Sequence, residues 1–120
     1  MIIAKHFEFE AAHQLPDIEC YGKCKNLHGH TYKLIVEVNG EVNELGWVIN
    51  FKDLKKIIHE QVIEKYDHTF LNDFFTVSTA ENIVNKIKED IEIEVSRYGC
   101  TLYSITLYET SNSYAKIICE

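Results

Sequence analysis

A thiol and two imidazoles fall within seven residues, Cys24-Lys25-Asn26-Leu27-His28-Gly29-His30. Side chains of an extended chain repeat every two residues, so His28 and His30 project from the same face. Gly29 between them adds no bulk and lets other groups approach the backbone. A third imidazole, His13 in Ala11-Ala12-His13-Gln14, closes an earlier alternating segment in the same phase. Three neutral imidazoles leave one position of a tetrahedral zinc open to water or substrate, which is the arrangement of catalytic zinc. Imidazole donors with an open position favour zinc over the harder divalent ions. A lone His at a strand end is ordinarily a surface polar residue. Three in matched phase exceed what a solvated surface requires.

Other residues add chemistry around this core. Cys24 lies four residues before His28, in the segment leading to the metal. A nearby zinc or imidazolium lowers a thiol pKa toward neutrality, so Cys24 is expected to act as a proton-transfer group or nucleophile rather than as a buried structural thiol. Cys20, Cys100 and Cys119 are expected to be structural. Asp67-His68 sets a carboxylate beside an imidazole at a helix-to-loop junction, where the acid can orient the ring and raise its basicity. Glu109 continues the apolar parity of Tyr103, Ile105 and Leu107 and stops before Thr110, Ser111 and Asn112. A carboxylate ending a buried face is costly unless something donates to it. An amino-pyrimidinone edge, with an N–H and an amino group side by side, is one such donor.

The elements that must position these residues follow from periodicity. Phe7, Phe9 and Ala11 alternate with Glu8 and Glu10, marking a half-buried antiparallel strand that His13 continues. The stretch from Leu15 to Asn26 holds the only Pro, Pro16, and reads as an irregular loop. A second strand runs from about His30 to Val38, with Tyr32, Leu34, Val36 and Val38 on the face of the two imidazoles. Asn39-Gly40 signals a hairpin turn, with a return strand through Val42 to Ile49. Asn50 caps a helix with a stripe of Phe51, Leu54, Ile57, Ile58 and Val62. Ser78-Thr79-Ala80-Glu81 reads as a capping box opening a second helix, whose stripe is Ile83, Val84, Ile87, Ile91 and Val95 and whose stop is Gly99. Strands over Leu102 to Glu109 and Tyr114 to Cys119 complete the chain. This order implies an α+β domain with both helices on one face of an antiparallel sheet.

A chain of 120 residues, 46% hydrophobic and 26% charged, is expected to form a single domain, residues 1–120. The net charge of −7 argues against nucleic acid and anionic membrane as partners, while leaving a small anionic substrate open. The amino terminus lacks the apolar run of a secretion signal, and no segment has the length of a membrane span, so a cytoplasmic location with reduced thiols is expected. Apolar residues on the end strands leave sheet edges that pairing with another subunit would cover.

Taken in order, Phe9-Glu10-Ala11-Ala12-His13, Cys24-x-x-x-His28-Gly29-His30, Asp67-His68 with Leu71-Asn72, Thr79-x-Glu81-Asn82 and Glu109-Thr110 resemble the 6-pyruvoyl tetrahydropterin synthase family over nearly the whole chain. The resemblance implies the tunnelling fold, a four-stranded antiparallel sheet with two helices packed on one face. It also implies trimeric barrels stacked into a homohexamer, with active sites between subunits. By resemblance His13, His28 and His30 hold zinc, Cys24 with Asp67 and His68 handles protons, and Glu109 anchors the pterin with help from Thr79. The implied substrate is 7,8-dihydroneopterin triphosphate. The three-residue gap between Cys24 and His28 is similar to the queuosine-pathway branch of the family, whose products are 6-carboxytetrahydropterin, acetaldehyde and triphosphate. The alternatives are the branch that only eliminates triphosphate, and a zinc- and pterin-binding module without turnover. The chain departs from the family pattern at Asn50, where Asp usually precedes Phe.

Overall fold

The computed structural model of the chain describes residues 1–119. Four long strands form an antiparallel sheet: β1 (Ile2–His13), β2 (His28–Asn39), β4 (Thr101–Thr110) and β5 (Ser113–Ile118). A two-residue strand, β3 (Thr69–Phe70), adds to the free side of β1 in parallel, giving the order β3-β1-β2-β4-β5. The sheet therefore has five strands rather than four, although β3 covers only Ala11 and Ala12 of its neighbour.

Alternation decides which side of the sheet is covered. Phe7, Phe9 and Ala11 of β1, Tyr32, Leu34, Val36 and Val38 of β2, and Ile105 and Leu107 of β4 are all buried. They join one core with the helices, while the intervening Glu8, Glu10, Thr31 and Lys33 stay exposed. The helical layer begins with α1 (Phe51–Ile58), whose cap Asn50 accepts a hydrogen bond from the Lys52 N–H at 2.9 Å. Asn therefore performs the capping role expected of that position. The backbone continues through a π-helical stretch, His59–Ile63, into α2 (Glu64–Tyr66). Leu54, Ile57, Ile58 and Val62 are buried as their spacing predicts, but Phe51 is 49% exposed at the helix start. The helix α3 (Ala80–Ser96) buries the whole predicted stripe and packs on β4 and β5. Gly99, at φ 79°, supplies the left-handed residue after its end.

Two sequence expectations are corrected here. Residues 40–50 contain no strand, and β2 pairs instead with β1 and β4, so the return strand over Val42 to Ile49 does not form. Gly40 serves packing rather than a hairpin: a Cβ there would lie 2.9 Å from Val48 Cγ1 and 3.1 Å from Cys100 Cβ. Its backbone is tied to the first residue, the Gly40 N–H donating to the Met1 carbonyl at 3.0 Å. The α3 cap also falls one residue later than predicted, at Thr79 rather than Ser78. None of the helices among the described residues is long and apolar enough to cross a membrane.

Candidate active site

The strand register gathers the three imidazoles. His13 lies directly across from His28, and Ala11 from His30. Alternation then turns all three rings to the core face, with centroids 4.4 Å apart for His13 and His28, 4.9 Å for His28 and His30, and 5.1 Å for His13 and His30. Glu109, near the end of β4, reaches the same spot, and its Oε1 lies 3.0 Å from His30 Nε2. One donor atom from each of His13, His28, His30 and Glu109 lies within 4.8 Å of the others.

The hydrogen bonds around the rings decide which nitrogens point inward. Nδ1 of His13 is 2.8 Å from the Ser78 carbonyl, and Nδ1 of His28 is 2.7 Å from the Asn26 carbonyl. A carbonyl only accepts, so in both rings Nδ1 carries the proton and Nε2 presents its lone pair. Nε2 of His13 is buried with no hydrogen-bond partner. The same holds for Nε2 of His30, because the Glu109 oxygen beside it is out of line for a hydrogen bond. Burial lowers the pKa of His13, against the opposing effect of its bond to Ser78, and burial likewise lowers that of His30 against the pull of Glu109. Neutral imidazoles with orphaned, convergent Nε2 atoms fit a divalent metal with nitrogen preference, and zinc meets that description.

Beneath them Tyr32 stacks on Phe9 with centroids 5.1 Å apart. Its hydroxyl is buried without a partner, and burial, then Glu109, raise its pKa so that it stays protonated. Parity alone marks Tyr32 as a core residue and conceals this buried donor.

Asp67 and His68 form a second group. Asp67 Oδ2 lies 3.0 Å from His68 Nδ1, and Asp67 Oδ1 accepts the Glu10 N–H at 2.9 Å. That backbone donor, with a smaller effect of His68, holds the Asp67 carboxyl below its usual pKa. The His68 N–H donates to the Glu10 carbonyl at 2.6 Å, and His68 is the one non-glycine among the described residues at positive φ, 58°. Such a conformation persists only where neighbouring bonds over-determine it. The ring faces an open cleft of about 600 Å³ whose walls include Glu10, Gly29, His30 and Thr31. A Cβ on Gly29 would meet only the Ala11 carbonyl oxygen, at 3.6 Å, so the fold of this chain does not demand glycine there.

The remaining predicted residues are placed as follows. Cys24 is exposed on a 3-10 segment, Glu19–Lys25, that Gly22 breaks at φ 54°, and the thiol is not among the four clustered donors. The Cys24 carbonyl accepts from the Leu15 N–H at 2.7 Å, which pins this segment to the chain just beyond His13. Thr79 Oγ1 accepts from the Asn82 N–H at 3.3 Å as the cap of α3. Sequence reasoning names Asn72 within a motif and Ser78 as a helix cap but gives neither a role at the site. Asn72 bonds the Gln14 backbone twice, accepting its N–H at 3.0 Å and donating to its carbonyl at 2.7 Å. Ser78 is fully buried against His13. The only signal for Ser78 was the Ser-Thr-x-Glu pattern, which reads as a helix cap.

The 6-pyruvoyl tetrahydropterin synthase family model matches residues 2–119. The 6-carboxy-5,6,7,8-tetrahydropterin synthase of Haemophilus influenzae is 35% identical over 144 residues, with 95% of this chain and 96% of that protein covered. The human 6-pyruvoyl tetrahydrobiopterin synthase is 34% identical over 127 residues, covering 92% and 86%. The structure of 6-pyruvoyl tetrahydropterin synthase from Caenorhabditis elegans superposes with a TM-score of 0.88 at 31% identity, covering 100% of this chain and 96% of that one. The chain belongs to the 6-pyruvoyl tetrahydropterin synthase family.

Proposed function

We propose that the protein is a zinc-dependent lyase that converts 7,8-dihydroneopterin triphosphate and one water to 6-carboxy-5,6,7,8-tetrahydropterin, acetaldehyde and triphosphate, a step of queuosine synthesis. The observation that carries this reading is the convergence of three imidazoles, two held by backbone carbonyls with Nε2 inward, beside the Glu109 carboxylate. His13, His28 and His30 would hold the zinc, which when bound acidifies the side-chain hydroxyls of the substrate.

The other roles fall to the chain's own groups. The two oxygens of Glu109 receive the N–H and amino group of the pterin edge. The Thr79 hydroxyl accepts the cap bond from Asn82 and keeps its own proton free to donate to the ring. Cys24 takes a proton from the substrate side chain, and the Asp67–His68 pair holds and returns protons, the ionised Asp67 stabilising the imidazolium.

The choice of branch rests on the three-residue gap between Cys24 and His28, since identity to the two named relatives is nearly equal. Incubation of purified protein with 7,8-dihydroneopterin triphosphate tests it. Trapped acetaldehyde together with 6-carboxytetrahydropterin by mass spectrometry is the expected result. A pterin that keeps its three-carbon side chain, with no aldehyde, would assign the chain to the elimination branch.

A further inference from the structure

Glu10 lies three residues before the first imidazole of the cluster and is, by strand parity, an outward-facing residue of β1. Its backbone N–H, its backbone carbonyl and one carboxylate oxygen all meet the Asp67–His68 turn. The backbone N–H donates to Asp67 Oδ1 at 2.9 Å, the backbone carbonyl accepts from the His68 N–H at 2.6 Å, and the side-chain Oε2 lies 3.9 Å from His68 Nε2. The other carboxylate oxygen, Oε1, accepts from the Thr31 hydroxyl at 3.2 Å, across the β1–β2 pair. His68 is thus flanked by a carboxylate on each ring nitrogen: Asp67 on Nδ1 at 3.0 Å and Glu10 toward Nε2. The remaining titratable group on the walls of this cleft is His30, from β2; Thr31, Thr69 and Phe70 carry no charge at working pH.

We infer that Glu10 is a positioning residue for His68, its backbone fixing the strained turn and its carboxylate, steered by Thr31, steadying the second ring nitrogen when the ring takes up a proton. This deepens the proposed function and rests on it for the role of His68 in proton transfer. An imidazole with one carboxylate is oriented; with two it is also a better proton store, because the positive charge gained on protonation meets a negative group at both ends. Thr31 matters because a glutamate side chain on an open strand face otherwise samples many rotamers, and the hydroxyl selects those that keep Oε2 toward the ring.

The test uses the zinc-loaded protein labelled with ring-13C histidine, the His68 resonance being identified by its loss in His68→Asn. In Glu10→Gln the midpoint of the His68 resonance against pH should fall, because one of the two carboxylates that meet the imidazolium is gone. Zinc content should be unchanged. Turnover of 7,8-dihydroneopterin triphosphate by the same variant should lose about tenfold in kcat with KM within about threefold, and the acidic limb of its pH profile should move to lower pH. Glu10→Asp keeps the charge and should recover part of both effects. Glu8→Gln, two residues back on the same face and 3.9 Å from Lys33, should change neither. An unmoved His68 midpoint in Glu10→Gln, or an equal shift in Glu8→Gln, overturns the inference. The titration needs no substrate, so it decides the role of Glu10 even where the wild-type chain turns over no 7,8-dihydroneopterin triphosphate, a result that would overturn the proposed reaction instead.

Discussion

His13 is 1% exposed, with one nitrogen tied to a backbone carbonyl and the other free of any partner. Burial holds its pKa, and that of His30, below the ordinary value of 6.5. The unfolded chain therefore takes up protons first as pH falls. Stability complete above pH 6.5 is lost as the solution is acidified from there toward the lower folded values, and no such loss occurs between pH 7 and 8. Metal-free protein should accordingly show a falling Tm below about pH 6.5, and zinc affinity should fall only as the pH approaches the lowered folded values, because Nε2 must be deprotonated to bind it. A Tm flat down to pH 5 would refute the burial argument. His28→Ala should lose zinc and activity together, checked by elemental analysis and product assay. Cys24 is not among the four clustered donors, so Cys24→Ala should retain zinc and fold while turnover falls by ~10²–10⁴-fold. Unchanged steady-state rates would move proton transfer to another group.

At the scale of elements, the strands and helices that carry the site were legible because each has a single exposed face. The β1 pattern from Phe7 to His13 and the α3 stripe from Ile83 to Val95 come out as periodicity requires. Residues 40–50 were not legible. Asn39-Gly40 has the composition of a two-residue turn, yet β2 already has both edges paired, by β1 and β4, and no place in the sheet remains for a return strand. Gly40 is needed because its missing Cβ makes room for Val48 and Cys100. Gly40→Ala should therefore destabilise the fold by about 1–3 kcal/mol through overpacking, read as a lower urea midpoint at constant m. A neutral result would mean that Val48 and Cys100 move aside freely. β3 was also hidden, since two residues of parallel pairing leave no period to detect.

For the whole molecule, both edges of the sheet are open to a partner among the described residues: β5 on one side, and β1 from Ile2 to Phe9 on the other, Glu10 being taken by Asp67 and His68. Tyr114 and Ile118 of β5 and Ile2 of β1 are exposed there. Such edges invite pairing between copies, and the exposed His68 beside a half-buried Asp67 suits a site that a neighbouring chain completes. Light scattering should give a multiple of three subunits, six being the expected number. A stable monomer with full activity would contradict a shared site.

The sequence by itself determined the chemistry available to this protein, because His13, His28 and His30 each share the parity of the apolar residues in their own strands, and burying those residues turns all three to one side. It also determined the helix faces and the family. Only the tertiary structure decided that Glu109 joins the imidazoles, since that depends on β4 lying beside β2, where Lys33 pairs with Tyr108, far along the chain. It alone decided that the Ser78 and Asn26 carbonyls set the tautomers and that Glu10 grips the Asp67–His68 turn. Backbone carbonyls and N–H groups are the same in every residue, so no choice of side chain announces which of them will fix a catalytic ring.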